Sequence, residues 1–335
     1  MRLLDIPAIQ SMIKHIGLKT FYLQLINQLE NDFSQWKKFN KSPRHATYYD
    51  HGVIELMPCS DDELYSFKFV NGHPDNTKSG KLCVAAMGLL ADVESGYTLM
   101  ISEMTILTAI RTAAVSALGA KYLARPNSSR LSIIGTGAQA EFQAMALLAV
   151  LPITDIYIYD TDTLAMDKFV KNLSSEFKSI TVCDSVDQAI DNTDIIVTAT
   201  AAKKSVCLFT EQQIKPGTHI HAMGGDCPGK TELSQALLKK SKLIVEFTEQ
   251  SLIEGEIQQL GAEHIYAELW QIINNQLPGR VDNNEITIFD SVGFALEDLS
   301  TLKLVYRLAQ DYNFGEQVYL TPELDNPKDL YSLLK

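Results

Sequence analysis

The sequence has no long apolar run and no paired cysteine motif. Its most apolar stretch, residues 144–153, is far shorter than the roughly 20 residues that a membrane-spanning helix needs. The N-terminus carries Asp5 where a secretory signal would need an unbroken apolar core. The five cysteines are scattered, without a CxxC pair for zinc or redox chemistry. We therefore expect a cytoplasmic protein with reduced thiols and no membrane partner.

Basic residues are scarce relative to acidic ones. The 335 residues include 29 Lys and Arg against 41 Asp and Glu, which gives a net charge of −12. Such a chain repels phosphate backbones and anionic lipid, so we expect no nucleic-acid partner. No HExxH spacing indicates a zinc site, and we expect no metal. The composition, 46% apolar and 21% charged, is typical of globular proteins, and the length predicts two domains.

The pattern of apolar residues changes near residue 130. Before this point, helical spacing over residues 21–36 is mixed with strand patterns at 53–57, 65–70 and 82–90. After it, short runs rich in β-branched residues alternate with helical segments, which predicts a doubly wound parallel sheet. These predicted strands are 131–134, 156–159, 181–183, 195–198, 219–222, 243–246 and 286–289.

Two predicted helices connect the regions. Residues 105–123 lead from the first region to the second, and residues 294–312 carry the chain back. The predicted fold class is therefore α/β, a Rossmann doubly wound sheet plus an α+β substrate-binding domain. We place the substrate-binding domain at residues 1–115 with 303–335, and the Rossmann domain at 116–302.

A glycine-rich turn follows the strand at 131–134. Its sequence, GTGAQA at 135–140, has the GxGxxA form of a phosphate-binding Rossmann turn. Gly135 permits the tight turn, and Gly137 lets backbone N–H groups approach a pyrophosphate at the helix N-terminus. Ala140 is small enough for close packing of helix on strand. GxGxxA alone is weak evidence, but its position between a strand and a helix strengthens it.

Asp160 ends the next strand, 25 residues after Gly135. A carboxylate at this place accepts hydrogen bonds from ribose hydroxyls and disfavours a 2′-phosphate. The sequence therefore predicts NAD rather than NADP. The alternative, that the acids of this turn cap the following helix, competes most directly for Asp162.

Charged residues interrupt apolar patterns in the first region. Glu55 and Lys68 lie inside strand patterns, where an unpaired charge would be costly. Each needs a partner or a ligand, and a buried Glu55–Lys68 ion pair without a catalytic part is an equal alternative. Arg111 lies in a small-residue helix beside the expected cleft, and Arg44 lies in a polar loop. For these two, an ordinary surface arginine is the alternative.

A second glycine-rich loop, GGDCPGKTE at 224–232, follows the strand at 219–222. It emerges at the carboxyl end of a strand, where doubly wound folds bind ligands. Asp226 is a candidate catalytic residue and Lys230 a candidate binding residue. The alternative for both is a structural role in the turn before a helix predicted at 232–240. Cys227 has no base suggested nearby, so we do not expect a nucleophilic cysteine.

Together these motifs make the chain resemble the ornithine cyclodeaminase and μ-crystallin family, which includes some alanine dehydrogenases. The resemblance covers nearly the whole length. Two motifs, GGDCPGKTEL and EGEIQQL, are similar to the cyclodeaminase branch in particular. The motifs that carry it are VIELMP (53–58), KFVNGHP (68–74), RTAA (111–114), GTGAQ (135–139), GGDCPGKTEL (224–233), EGEIQQL (254–260) and DSVGFALED (290–298).

The resemblance implies roles for the charged residues. Arg44, Lys68 and Arg111 would bind the carboxylate of an amino-acid substrate. Glu55 and Asp226 would be active-site acids, with Asp226 the general base that orients the reacting amine. Asp226, Glu55 and Lys68 are then the expected catalytic residues, and the division of roles between the two acids stays open. Further implied cofactor contacts are Ser116, Gly137, Ala138, Gln139, Lys230, Ser291 and Val292.

The reaction that the resemblance implies turns ornithine into proline and ammonia. NAD⁺ takes a hydride from the α-carbon, the δ-amine closes a five-membered ring on the resulting iminium, ammonia leaves, and the same NADH returns the hydride. Enzyme alternatives are an NAD-dependent amino-acid dehydrogenase, a ketimine reductase and a lysine cyclodeaminase. A crystallin-like binding protein is the alternative without catalysis. The family pattern also implies a homodimer through the sheet of the first domain.

Overall fold

The computed structural model describes residues 1–202 and 205–335, which form two sheets of eight strands each. The strands are β1 (Arg2–Leu4), β2 (Asn40–Lys41), β3 (His45–Tyr49), β4 (Gly52–Ser60), β5 (Leu64–Gly72), β6 (Val84–Asp92), β7 (Thr98–Glu103), β8 (Arg130–Ile134), β9 (Asp155–Tyr159), β10 (Ser179–Val182), β11 (Ile195–Thr198), β12 (His219–Ala222), β13 (Lys242–Val245), β14 (Ala267–Glu268), β15 (Thr287–Asp290) and β16 (Glu316–Gln317). The α-helices are α1 (Ile6–Ile16), α2 (Leu18–Ser34), α3 (Thr105–Leu123), α4 (Ala140–Val150), α5 (Thr163–Leu173), α6 (Val186–Ile190), α7 (Gln235–Lys240), α8 (Thr248–Glu254), α9 (Leu269–Ile273) and α10 (Ala295–Tyr312). Within this described part, no helix is long and apolar enough to cross a membrane.

The first sheet contains strands from both ends of the chain. Its order is β16-β1-β7-β6-β5-β4-β2, and β3 pairs with β4. Strands β4 to β7 form an antiparallel meander, while β1 is parallel to β7 and antiparallel to β16. Side chains alternate across the sheet, so that Met57 is buried while its neighbour Leu56 faces outward. The domain boundaries given above stay a prediction.

The second sheet confirms the predicted doubly wound fold. All eight strands are parallel, in the order β10-β9-β8-β11-β12-β15-β13-β14. Parallel sheets are covered by helices on both faces, which explains why their strands are continuous apolar runs without alternation. Strands β11 and β12 have the predicted bounds, and β15 begins one residue later than predicted.

Helix α3 lies at the contact between the two sheets. Its small residues, including Ala113, Ala114 and Ala117, are fully buried. A Cβ on Gly119 would lie 2.3 Å from the Phe289 ring, so only glycine lets the helix approach β15 this closely. Helix α10 packs on strands β4, β5 and β6 of the first sheet. Helix α3 therefore contacts strands of both sheets, and α10 packs on the first.

The helix predicted at 232–240 is shorter than expected. Helix α7 begins at Gln235, because the Ser234 hydroxyl caps it by accepting a hydrogen bond from the Leu237 amide at 3.1 Å. The residues before Ser234 remain part of the glycine-rich loop. This loop is therefore longer than the sequence pattern predicts.

Candidate active site

Two cations share one buried carboxylate between the sheets. The Lys68 ammonium, on β5, donates to Asp298 Oδ1 at 2.8 Å, and the Arg111 Nε, on α3, donates to the same oxygen at 3.1 Å. Asp298 lies in the first turn of α10 and is fully buried. Its charge offsets the repulsion between the two cations and holds them side by side. Sequence reasoning missed Asp298, although its motif was part of the resemblance.

Lys68 has an unusually acidic ammonium group. Burial, together with the charges of Arg111 and Arg44, lowers the Lys68 pKa to about 8, although Asp298 acts in the opposite direction. The side chain is 1% exposed. Lys68 therefore changes its charge close to neutral pH, unlike an ordinary surface lysine.

A pair of buried carboxyl groups lies behind Arg111. The Arg111 Nη1 donates to Glu297 Oε2 at 2.7 Å, and the Glu297 carboxyl contacts that of Glu246. Burial, followed by the charge of Glu246, raises the pKa of Glu297, while the charge of Arg111 acts in the opposite direction. Glu246 in turn accepts from the Ser291 hydroxyl and from the Gly293 amide. These contacts fix the Ser291–Val292 turn against the base of the cation cluster.

Arg44 forms the third corner of the charged cluster. Its Nη1 lies 3.3 Å from Glu55 Oε1 and 3.1 Å from Glu254 Oε2. Its other guanidinium nitrogens donate to the carbonyls of Val292 and Gly293. Although burial opposes it, the charges of Glu254, Glu55 and others raise the pKa of Arg44. Arg44, whose side chain is 10% exposed, is therefore a largely enclosed, permanently charged guanidinium and not an ordinary surface arginine.

The structure does not contain the Glu55–Lys68 ion pair that was an alternative from sequence. In the register of β4 and β5, Lys68 lies opposite Met57 and Glu55 lies opposite Val70. Within the described structure, Lys68 pairs with Asp298, and Glu55 pairs with the arginine at position 44. The two charges were correctly expected to need partners, but that pairing was wrong.

Asp226 lies in the loop after β12, on the open side of the cluster. Its Oδ1 is 2.9 Å from the Lys230 ammonium, and its side chain is 56% exposed. Its charge contributes to the raised pKa of Arg44, so it lies within electrostatic reach of the Arg44–Glu55 pair. The structure therefore brings together the predicted residues Arg44, Glu55, Lys68, Arg111 and Asp226. Cys227, beside it, has its pKa raised by burial, which agrees with the absence of a nucleophilic role.

The Rossmann turn has an open side suited to a ligand. Gly135 has φ of 98°, and a Cβ there would lie 2.5 Å from the Ala199 carbonyl oxygen. A Cβ on Gly137 would meet nothing within 4 Å. Gly137 and Ala138 are exposed, and Gln139 is half-buried just before α4 begins. The turn thus presents the N-terminus of α4 to open space, where a pyrophosphate would bind.

Asp160 supports this turn from the neighbouring strand. Its Oδ2 accepts from the Thr136 amide at 2.6 Å and from the Thr136 hydroxyl at 3.2 Å. Its Oδ1 accepts from the Asp162 amide at 3.0 Å, while Asp162 itself caps α5 through the Leu164 amide. The helix-capping alternative therefore applies to Asp162. The role of Asp160 toward a ribose stays a prediction.

Ser116 is buried inside the domain, against β12. Its hydroxyl is fully buried in α3, 2.6 Å from His221 Nε2 and 3.0 Å from the Thr112 carbonyl. His221 forms a His-x-His pair with His219 on β12, and burial lowers the pKa of His221 to about 3. Neither histidine joins a metal cluster, since residues 1–202 and 205–335 contain no group of three or more His, Cys, Asp or Glu placed to hold an ion. The predicted cofactor contact of Ser116 stays a prediction.

Comparison with known proteins assigns the chain to a family. The family model "Ornithine cyclodeaminase/mu-crystallin family" matches residues 8–313. An ornithine cyclodeaminase from Agrobacterium tumefaciens (strain Ach5) is 47% identical over 331 residues, which cover 99% of this chain and 93% of that protein. Among solved structures, an archaeal alanine dehydrogenase dimer with bound NAD has a TM-score of 0.88 at 33% identity, covering 96% of this chain and 99% of its own. A lysine cyclodeaminase, described in work on recognition of L-lysine, L-ornithine and L-2,4-diaminobutyric acid, has a TM-score of 0.94 at 26% identity and covers 99% of both chains. The chain belongs to the ornithine cyclodeaminase/μ-crystallin family.

Proposed function

We propose that the protein is an NAD-dependent ornithine cyclodeaminase that converts L-ornithine to L-proline and ammonia. The observation that carries this proposal is the arrangement of two buried cations, Lys68 and Arg111, and the largely enclosed Arg44 next to the acids Glu55 and Asp226. Such a site can bind a substrate with a carboxylate at one end and amines further along. The 47% identity to a named ornithine cyclodeaminase over nearly the full chain supports the choice of substrate.

The Rossmann turn fits a dinucleotide. The left-handed backbone of Gly135, the open space at Gly137 and the free start of α4 together leave room for a pyrophosphate. In our proposal the residues at 135–139 hold the pyrophosphate and Asp160 the ribose, with Lys230 and the Ser291–Val292 turn adding contacts. Bound there, NAD would supply reversible hydride transfer at the substrate α-carbon.

The cations would hold the substrate carboxylate. Lys68 gives one hydrogen bond to Asp298, and an ammonium has three donors, so donors remain for a ligand. Because Asp298 and Glu297 already fix Lys68 and Arg111 in place, a bound carboxylate meets preoriented donors. This fixes the α-carbon relative to the cofactor turn.

The acids would act on the amines. Asp226 is half-exposed on a loop and can accept a proton from the α-amine, which must be neutral before hydride loss. Glu55 is buried against Arg44 and would stabilise the positive charge at the distal end of the substrate. We propose Asp226 as the general base and Glu55 as the supporting acid.

The reaction is tested by following product and cofactor together. With ornithine and a small amount of NAD, we expect one proline and one ammonia for each ornithine consumed, without accumulation of NADH, because the hydride returns to the product. NADH in proportion to the ornithine consumed would instead identify an amino-acid dehydrogenase. Lysine assayed in parallel is expected to have the lower kcat/KM. A larger value for lysine would change the substrate while leaving the reaction type intact.

We further propose a homodimer through the outer face of the first sheet. Leu56, Phe69 and Met87 lie directly opposite one another on β4, β5 and β6, and they are 45%, 38% and 51% exposed. A continuous apolar row of this kind typically marks an interface. Cys59, Cys183, Cys207 and Cys227 form no disulfide, as is usual in a reducing compartment, and a cytoplasmic location is part of the proposal.

The dimer is tested with a charge placed in that row. A Met87→Glu variant is expected to sediment as a monomer in analytical ultracentrifugation, because the partner face would bury an unpaired carboxylate. The matched control is Val182→Glu, at a similarly exposed position on β10 of the other sheet, which is expected to remain dimeric. A wild-type protein that sediments as a monomer would contradict the proposal.

A further inference from the structure

The loop that carries Asp226 has little structure of its own. Three of its residues, Gly224, Gly225 and Gly229, are glycines, and Gly229 has φ of 79°. Glycines allow many backbone conformations, so such a loop does not fix a side chain by itself. The Asp226 side chain pairs with Lys230, which belongs to the same loop. A fixed position for Asp226 therefore requires contacts from outside the loop.

The segment 254–260, the EGEIQQL motif, supplies these contacts through Gln258. The Gln258 Oε1 accepts from the Gly229 amide at 2.7 Å. Its Nε2 donates to the Lys230 carbonyl at 3.0 Å and lies 3.4 Å from the Cys227 carbonyl. The side-chain amide of Gln258 thus binds a backbone N–H and a backbone carbonyl of the turn that begins at Asp226. The two motifs that resemble the cyclodeaminase branch form one hydrogen-bonded unit.

Two buried carboxyl groups tie the loop to this segment and the segment to the sheet. Glu256 accepts from the amides of Glu232 and Leu233 at 2.6 and 3.0 Å, which fixes the far end of the loop. Asp290, at the end of β15, accepts from the amides of Glu256 and Ile257, each at 2.9 Å. Since Glu256 and Asp290 are at most 1% exposed, these contacts are shielded from water.

The segment also reaches the other side of the site. Glu254 Oε2 lies 3.1 Å from Arg44 Nη1, and its Oε1 accepts from the Tyr48 hydroxyl at 3.3 Å. The Nε2 of Gln258 donates to the Glu254 carbonyl at 2.9 Å. The position of the Asp226 turn is therefore tied to the position of Arg44 through a few residues of one segment.

We propose that Gln258 is a positioning residue for the reaction, which holds the Asp226 carboxylate against the substrate amine through the backbone of residues 227–230. This inference rests on the proposed role of Asp226 in cyclodeamination. Gln258 touches neither substrate nor cofactor in this proposal. Its effect is expected on the chemical step, because a small displacement of a catalytic group costs far more in rate than in ground-state binding.

The test compares Gln258→Ala with Gln259→Ala. Gln259 belongs to the same segment, but its amide donates to the Leu233 carbonyl and to Glu256 and not to the Asp226 turn. With turnover expressed per NADH-binding site, Gln258→Ala is expected to lower kcat about 10- to 100-fold with little change in KM for ornithine. Gln259→Ala is expected to keep kcat close to that of the wild type. A purely structural role would lower the number of binding sites without changing kcat per site.

Amide hydrogen exchange gives a readout that does not depend on turnover. Gln258→Ala is expected to accelerate exchange in the peptide 226–231, and Gln259→Ala is not. Gln258→Glu, which keeps the acceptor for the Gly229 amide but loses the donor, covers the case in which the alanine variant fails to fold. This glutamate variant is expected to lower kcat, while the Gly229 amide stays protected from hydrogen exchange. Unchanged exchange and unchanged kcat in both Gln258 variants would overturn the inference. If the wild type fails to form proline while Gln258→Ala still loosens the turn, the proposed function has failed and the positioning contact stands.

Discussion

An Asp226→Asn variant is expected to lose about 100- to 10,000-fold in kcat for proline formation, the range typical of a lost general base. Asparagine has nearly the same size and can keep a hydrogen bond to Lys230, but it cannot take a proton from the substrate amine. The backbone of residues 227–230 is held by the Gln258 side chain and not by Asp226, so the fold of the loop should survive. The measurement is the initial rate of proline and ammonia formation at saturating ornithine and NAD.

Asp162→Asn serves as the control for this variant. Asp162 is an exposed acid that caps α5, away from the charged cluster, and asparagine is an equally good cap. Its turnover is expected to match that of the wild type. If Asp226→Asn also turns over at the wild-type rate, the base is another group, and Glu55 becomes the first candidate because of its place beside Arg44.

A Lys68→Met variant is expected to lower kcat/KM for ornithine by about 100-fold or more, mainly through a higher KM. Truncating one member of a buried, hydrogen-bonded charge pair costs roughly 2–5 kcal/mol. Methionine fills similar space, but Arg111 then becomes the remaining partner of this pair of cations on Asp298. The substitution also removes one of the three cationic side chains that are proposed to bind the substrate carboxylate. Lys121→Met, which breaks a partly exposed pair with Glu30, should leave the kinetics unchanged.

The charge on Lys68 also predicts a pH dependence. Its lowered pKa of about 8 means that the ammonium, and with it carboxylate binding, is fully present below that pH and is lost as the pH rises through it. Pentanoate, a carboxylate with no amine of its own, is expected to bind more weakly above pH 8 as a competitive inhibitor. A Lys68→Arg variant that still binds pentanoate should lack this change. Binding of pentanoate by the wild type that stays constant to pH 10 would contradict the assignment.

The doubly wound sheet could be predicted from sequence for a physical reason. A strand covered on both faces must be apolar throughout, so β11 and β12 are visible as short β-branched runs even without any alignment. The glycine turn at 135–137 is visible because Gly135, with φ of 98° and the Ala199 carbonyl close by, leaves no room for a side chain. Helix α3 was predicted with its observed bounds, because a run of 19 residues rich in alanine and other apolar residues is too long for a strand.

The first sheet and the charge partners were harder to predict. Strands β1, β2 and β16 have only two or three residues, and their pairing depends on distant parts of the chain. For Lys68 the sequence shows that a buried ammonium needs an acid, but Asp298 lies 230 positions away and has no local signal that identifies it. Which acid pairs with which cation depends on how α10 packs against β5, and that is a property of the whole fold.

The late position of Asp298 affects how the protein is made. Ribosomes deliver Lys68 and Arg111 first, and the acid that offsets their repulsion follows 230 and 187 residues later. All strands of the nucleotide-binding sheet, which end at Asp290, have been synthesised by then. A nascent chain can therefore complete that sheet while the amino-acid pocket still lacks its central counter-charge. The pocket can gain this counter-charge only after the first turn of α10 has been synthesised.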